Sequence, residues 1–133
     1  MYGPQFRLRS FDALDTPSRE AVLRLMMEAL IAANVAFLQR HPETPRLYES
    51  GVRYEEEPGT QDDWNDIPET LSLGVGDCED LAGWRIAELR IAGELTAMPR
   101  VSVFAEGNRV TYHVAVRRAA GLIEDPSREL GMP

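Results

Sequence analysis

Apolar residues recur at helical spacing in two long segments of this chain and alternate with polar ones near its end. Thr16-Pro17 reads as a helix N-cap followed by proline at the first helical position. The helix it opens is expected to run to Gln39 or Arg40 and to stop before His41-Pro42. Val22, Leu25, Met26, Ala29, Leu30, Ala33, Val35, Ala36 and Phe37 wrap more than one stripe of it, so it is either well buried or part of an interface. The apolar run from Ala21 to Leu38 contains Arg24, Glu28 and Asn34 and is short for a membrane span, which favours a buried helix. A second helix begins at Cys78 and ends near Gly93, a glycine stop. At 100° per residue, Cys78, Leu81, Ala82, Ile86, Leu89 and Ala92 share a face with Arg85, and Trp84, Ala87 and Ile91 occupy another. Little polar circumference remains, so this helix is expected to be central, with Cys78 in its first turn.

Period two takes over afterwards. Arg100 to Glu106 alternates, with Val101, Val103 and Ala105 to one side; Gly107-Asn108 signals a turn. Val110 to Arg117 alternates again, placing Val110, Tyr112, Val114 and Val116 on one face and Thr111, His113 and Ala115 on the other. Ala119-Ala120-Gly121 turns the chain into a third strand over Leu122 to Asp125. Helices followed by antiparallel strands predict an α+β fold. Residues 1–15 read as an irregular arm, and 43–76 as a long structured connection. Pro42, Pro45, Pro58 and Pro68 punctuate that connection, Glu55-Glu56-Glu57 and Asp62-Asp63 charge it, and a short helix is expected near Ile67 to Leu73.

Composition narrows the picture. The 133 residues make one domain, 1–133. A single cysteine allows no internal disulfide, and the first residues lack an apolar signal segment, so a cytoplasmic protein that does not span a membrane is expected. A net charge of −8 argues against nonspecific nucleic-acid binding, which needs clustered cations. All 14 basic residues are arginine, so the chain offers no side-chain amine to an acyl group.

Candidate chemistry centres on Gly74-Val75-Gly76-Asp77-Cys78-Glu79-Asp80-Leu81, where a glycine-containing turn runs into a helix. A helix N-terminus favours the thiolate, the nucleophilic form of cysteine. His113 is expected as the general base or as the imidazolium partner of a resting thiolate, and Asp125 as the group that orients its imidazole and sets the tautomer. The midpoint of 113 and 125 is residue 119, in the predicted turn, so the two are expected as near cross-strand neighbours. The backbone N–H of Cys78 and the indole of Trp64 are candidate oxyanion donors. Asp77, Glu79 and Asp80 crowd the cysteine with negative charge, which raises a thiol pKa. They can cap the helix, pair with an arginine such as Arg85, or hold a calcium ion; capping is the commoner use of acids at a helix start. The bland alternatives are a cysteine that is a small buried hydrophobe, a His113 that is a hydrogen-bonded strand residue, and a His41 that partners a helix C-terminus. With one cysteine and two histidines lacking ligand spacing, zinc is disfavoured.

At Trp64-Asn65-Asp66-Ile67-Pro68-Glu69-Thr70-Leu71-Ser72-Leu73 and the Gly74 to Ala82 segment that follows, the chain resembles the transglutaminase-like superfamily, and most of all the bacterial transglutaminase-like cysteine proteinases. The resemblance spans about residues 64 to 126. It implies a papain-like core, a central cysteine-bearing helix packed on a small antiparallel sheet that carries His113 and Asp125. It implies attack by Cys78 on a carboxamide or peptide carbonyl to give a thioester, then hydrolysis or aminolysis. No cofactor is required; calcium at Asp77, Glu79 and Asp80 is the one that the resemblance allows. Small members of this kind occur in phage genomes, which would place the protein in a virion or host cell. The partner expected is a protein or peptide substrate, with self-association through the first helix as a further contact. Two other readings stand beside the cysteine peptidase: a non-catalytic structural or adaptor protein that keeps the fold, and an amine-accepting acyltransferase.

Overall fold

The computed structural model describes residues 10–56, 63–107 and 109–133. The first nine residues of the expected arm, Glu57, Pro58 and Asp62 of the acidic connection, and Asn108 of the hairpin turn lie outside the described residues. Helix α1 runs Thr16–Arg40. Its N-cap is Asp15, which accepts from the Ser18 N–H at 2.8 Å, rather than the expected Thr16. A carboxylate one residue earlier is the stronger cap, and Pro17 still falls within the first turn, where no helical donor is lost. Before it, a 3-10 turn at Phe11–Ala13 is held by the buried Arg19, which donates to the Phe11 and Asp12 carbonyls. The end of the expected irregular arm is therefore tied to the helix.

α1 buries one stripe, Arg19, Leu23, Met27, Ile31 and Asn34, and leaves Leu25 73% exposed. By length and composition it could cross a membrane. Here its buried stripe packs on α3, Cys78–Ile91, and on strand β3, Met98–Glu106. The short helix α2, Ile67–Leu73, lies where the pattern predicted it, capped by Asp66 and stopped by Gly74 at φ 75°. Asn34, fully buried on α1, accepts the Ile67 N–H at 2.9 Å and so ties α2 to the long helix.

Two sheets flank α3. One is a parallel pair of β1, Arg53–Tyr54, with β2, Val75–Gly76. Alternation gave no hint of it, because two-residue strands carry no period. The other runs β3, β4 (Arg109–Arg117) and β5 (Ile123–Glu124) in antiparallel order. β5 is shorter than the expected Leu122 to Asp125, because Asp125 becomes the residue preceding a short helix α4, Pro126–Glu129. α3 separates two apolar clusters. Leu23, Met27, Ile31, Cys78, Ile86, Val101, Val114 and Val116 belong to one; Leu47, Val52, Ile67, Leu81, Trp84 and Leu130 belong to the other. From Cys78 to Leu89 every residue of α3 is buried except Arg85. The fold is thus α+β, with a long N-terminal helix and a small antiparallel sheet.

Candidate active site

Cys78 is the first residue of α3 and is 5% exposed. The backbone reaches it from β2. Gly74 supplies the left-handed turn before it. Gly76 serves by close approach instead: a Cβ there would meet Leu81, Asp80 and Thr70 at 3.0–3.2 Å. The acids around the cysteine mostly cap the helix. Asp77 Oδ1 accepts the Cys78 N–H at 2.7 Å. Asp80 accepts from the Asp77 N–H at 3.1 Å and from the Asn65 N–H at 2.7 Å, completing a capping box and pinning the segment before α2. Glu79 is fully buried, and the Cys78 thiol donates to its Oε2 at 3.4 Å. Arg85 pairs with none of the three; its partners are Glu88 and Glu124.

Burial pushes the thiol well above its usual range, and the Glu79 and Asp77 carboxylates push it further. The Val114 backbone N–H, turned toward the sulfur, works in the other direction. Tyr54 on β1 feels the same surroundings: burial first, then the Asp77, Glu56, Cys78 and Glu79 charges, push its phenol up to about 12. Burial and the neighbouring acids therefore favour the neutral thiol at Cys78.

His113 and Asp125 meet directly, with Nε2 to Oδ2 at 2.8 Å. They do so diagonally. Val116 lies opposite Glu124, so the turn centres on Ala120 rather than residue 119, and Asp125 falls in register with Ala115, two residues from His113. The cause is the 3-10 turn Ala119–Gly121, in which Ala120 takes φ 63°. Asp125 Oδ2 also lies 3.5 Å from Arg128 Nε, and its Oδ1 is buried with no partner among the described residues. A carboxylate only accepts, so Nε2 of His113 carries the proton in the neutral ring and Nδ1 is left as the basic nitrogen.

Among the described residues no hydrogen bond joins Cys78 Sγ to His113. Cys78 packs with Val114 and Val116, the face of β4 opposite His113 by strand parity. Both nonetheless adjoin the Val114 peptide. β5 pairs only with Val116 and Arg117, so that edge of β4 carries no strand pairing at His113 and Val114.

Both candidate oxyanion donors are engaged. The Trp64 indole N–H donates to the Tyr112 hydroxyl at 3.1 Å, with the two rings 6.2 Å apart, and the Cys78 N–H is held by Asp77. The ligand atoms that lie together, within 4.8 Å, are those of Asp77, Cys78 and Glu79, whereas Asp80 turns both oxygens onto backbone N–H groups. Ca²⁺ takes about 6–8 oxygens, and a set containing one thiol and one wholly buried carboxylate does not offer them; no step below passes through calcium. His41 caps the end of α1, with Nδ1 3.3 Å from Glu43 and its ring tilted against Phe37 at 4.7 Å between centroids. The buried position of Glu79 and the Glu124 ion pairs were not foreseen. For Glu79 the signal was present, an acid in the first turn of a helix with almost no polar face. Comparison with family models, with curated proteins and with solved structures finds no match to this chain.

Proposed function

We propose that this chain is a transglutaminase-like cysteine hydrolase, a peptidase or amidase built on a papain-like core. The observation that carries the reading is the His113–Asp125 bond, which leaves Nδ1 of the imidazole basic beside the strand segment that adjoins Cys78. Because the acids and burial keep the thiol neutral, His113 acts as a general base and not as half of a resting ion pair. Nδ1 takes the thiol proton as sulfur attacks the carbonyl carbon. The tetrahedral intermediate collapses, the C–N bond breaks, and the imidazolium returns the proton to the leaving amine. Water, deprotonated by the same nitrogen, then attacks the thioester carbon; the C–S bond breaks, the acid leaves, and the imidazolium returns the proton to sulfur. Asp125 holds the ring in the tautomer that makes this sequence run.

The test is modification of Cys78 by a peptidyl electrophile at neutral pH, followed by mass spectrometry. Saturable labelling, lost in His113→Ala and strongly slowed in Asp125→Asn, is expected. Labelling at the rate of a free small thiol and indifferent to His113 overturns the reading. A second reading is a scaffold that keeps the fold and does no chemistry. What favours it is the thiol bonded to the buried Glu79 carboxylate, an arrangement that suppresses thiolate. Acyl transfer to an amine is separated from hydrolysis by trapping the thioester and asking whether water or an added amine discharges it.

A further inference from the structure

β5 is a weak element to carry a catalytic aspartate. It has two residues, it leaves a turn with an alanine in the left-handed region, and it runs straight into Pro126. Beyond two residue pairs with β4, its hold on the molecule comes largely from one side chain. Glu124 accepts from Arg85 Nε at 2.6 Å and Nη2 at 3.5 Å, from Arg118 Nη1 at 2.7 Å, and from the Tyr48 hydroxyl. Arg85 stands on α3, two turns after Cys78 and on the same face. It is braced in turn by Glu88, which also takes the Leu47 N–H at 2.7 Å and the Trp84 indole at 3.1 Å.

Neighbouring residues on extended backbone point to opposite sides. With Glu124 pulled toward α3, Asp125 is turned the other way, to the His113 face of β4. We infer that the Arg85–Glu124 bond sets Asp125 against His113, so that the helix carrying the thiol also positions the carboxylate of the pair; Arg85 and Glu124 are positioning residues. The inference deepens the cysteine-hydrolase reading and rests on it for its meaning in catalysis. The geometry it predicts can be read without any activity.

The measurement is the imidazole tautomer of His113 in the full chain by nitrogen-15 NMR, above the pH at which the ring is charged, with His113→Gln identifying its signals against those of His41. The native chain should show the proton held at Nε2. In Glu124→Gln, with far-UV circular dichroism unchanged, the ring should become a mixture of tautomers, and labelling of Cys78 should slow by up to about 10²-fold, the cost of misplacing a reacting group by an ångström. Arg85→Lys keeps the charge but loses the two-toothed contact and should give the same mixture; it decides the matter if Glu124→Gln does not fold. Glu94→Gln weakens the outer contact of Arg118 and keeps a side-chain oxygen for the Ala119 N–H that Glu94 also accepts at 3.2 Å, and should leave the tautomer alone. A ring still protonated at Nε2 alone in folded Glu124→Gln or Arg85→Lys, or an equal change in Glu94→Gln, overturns the inference. A native Cys78 that never reacts, beside a tautomer that responds as described, would sink the hydrolase reading and leave the positioning intact.

Discussion

Glu79 is the residue that most shapes the thiol. It has no exposed surface, it sits in the first turn of α3, and the thiol donates to its carboxylate. A charge there opposes a second negative charge on sulfur, so the site as built holds its nucleophile in reserve. Glu79→Gln removes that charge and keeps the shape. The thiol should then ionise more readily, and alkylation of Cys78 by iodoacetamide near pH 8 should rise by about tenfold for each unit by which its pKa falls. An unchanged pH–rate curve would show that burial and Asp77, not Glu79, set the thiol.

At the scale of elements, α3 is held at both ends by polar groups and along its length by apolar ones. Asp77 and Asp80 close its N-terminus, and Arg90 near its C-terminus takes the Glu28 carboxylate of α1 at 2.8 and 2.9 Å. Besides apolar packing, α1 is tied to α2 through the buried amide of Asn34, whose Oδ1 accepts the Ile67 N–H. Asn34→Ala leaves the Ile67 N–H without its buried acceptor and opens a small void. The expected loss is about 1–3 kcal/mol of stability, read by chemical denaturation, with α2 and the Asp66–Asn65 approach to Asp80 exchanging amide hydrogens first. These elements were largely legible from the chain. Asp66 followed by Pro68, glycine at 74 and the apolar wrap of residues 78–91 are local signals, each readable within a few residues. The parallel β1–β2 pair was not, because its partners lie far apart in the chain and each strand is too short to show alternation.

Across the whole molecule, charge sets the pH range of stability. Glu28, chiefly through the Arg90 hydrogen bonds, is held below the ordinary carboxylate range. Glu124 is raised by burial but lowered more by Arg85, Tyr48 and Arg118, for a net depression. Groups depressed on folding add stability above their unfolded pKa, about 4.3 for Glu, and lose it as pH falls through the folded value. Glu88, raised by burial, opposes that slope in the same range. On the alkaline side the raised Cys78 thiol adds stability below about pH 8.5, the pKa of an unfolded cysteine, and loses it as pH rises beyond. The raised Tyr54 phenol extends that loss above about pH 10. The melting temperature should therefore stand highest between about pH 5 and 8 and fall on both sides. The alkaline fall beginning near pH 8.5 should weaken in Cys78→Ala; a fall of the same size in that variant would assign it to other groups.

The chain alone determined the helices α1, α2 and α3 and the β3–β4 hairpin, the order of thiol, imidazole and carboxylate, and the start of α3 at Cys78, since caps, glycine stops and hydrophobic period act between near neighbours. Only the tertiary structure decided that His113 and Asp125 meet on the diagonal, that Glu79 is sealed beside the sulfur, and that Glu124 goes to Arg85 and Arg118. Fourteen arginines facing twenty-two acids admit many pairings of similar energy. Which of them form depends on where distant elements cross, and that is set by the packing of the core around α3.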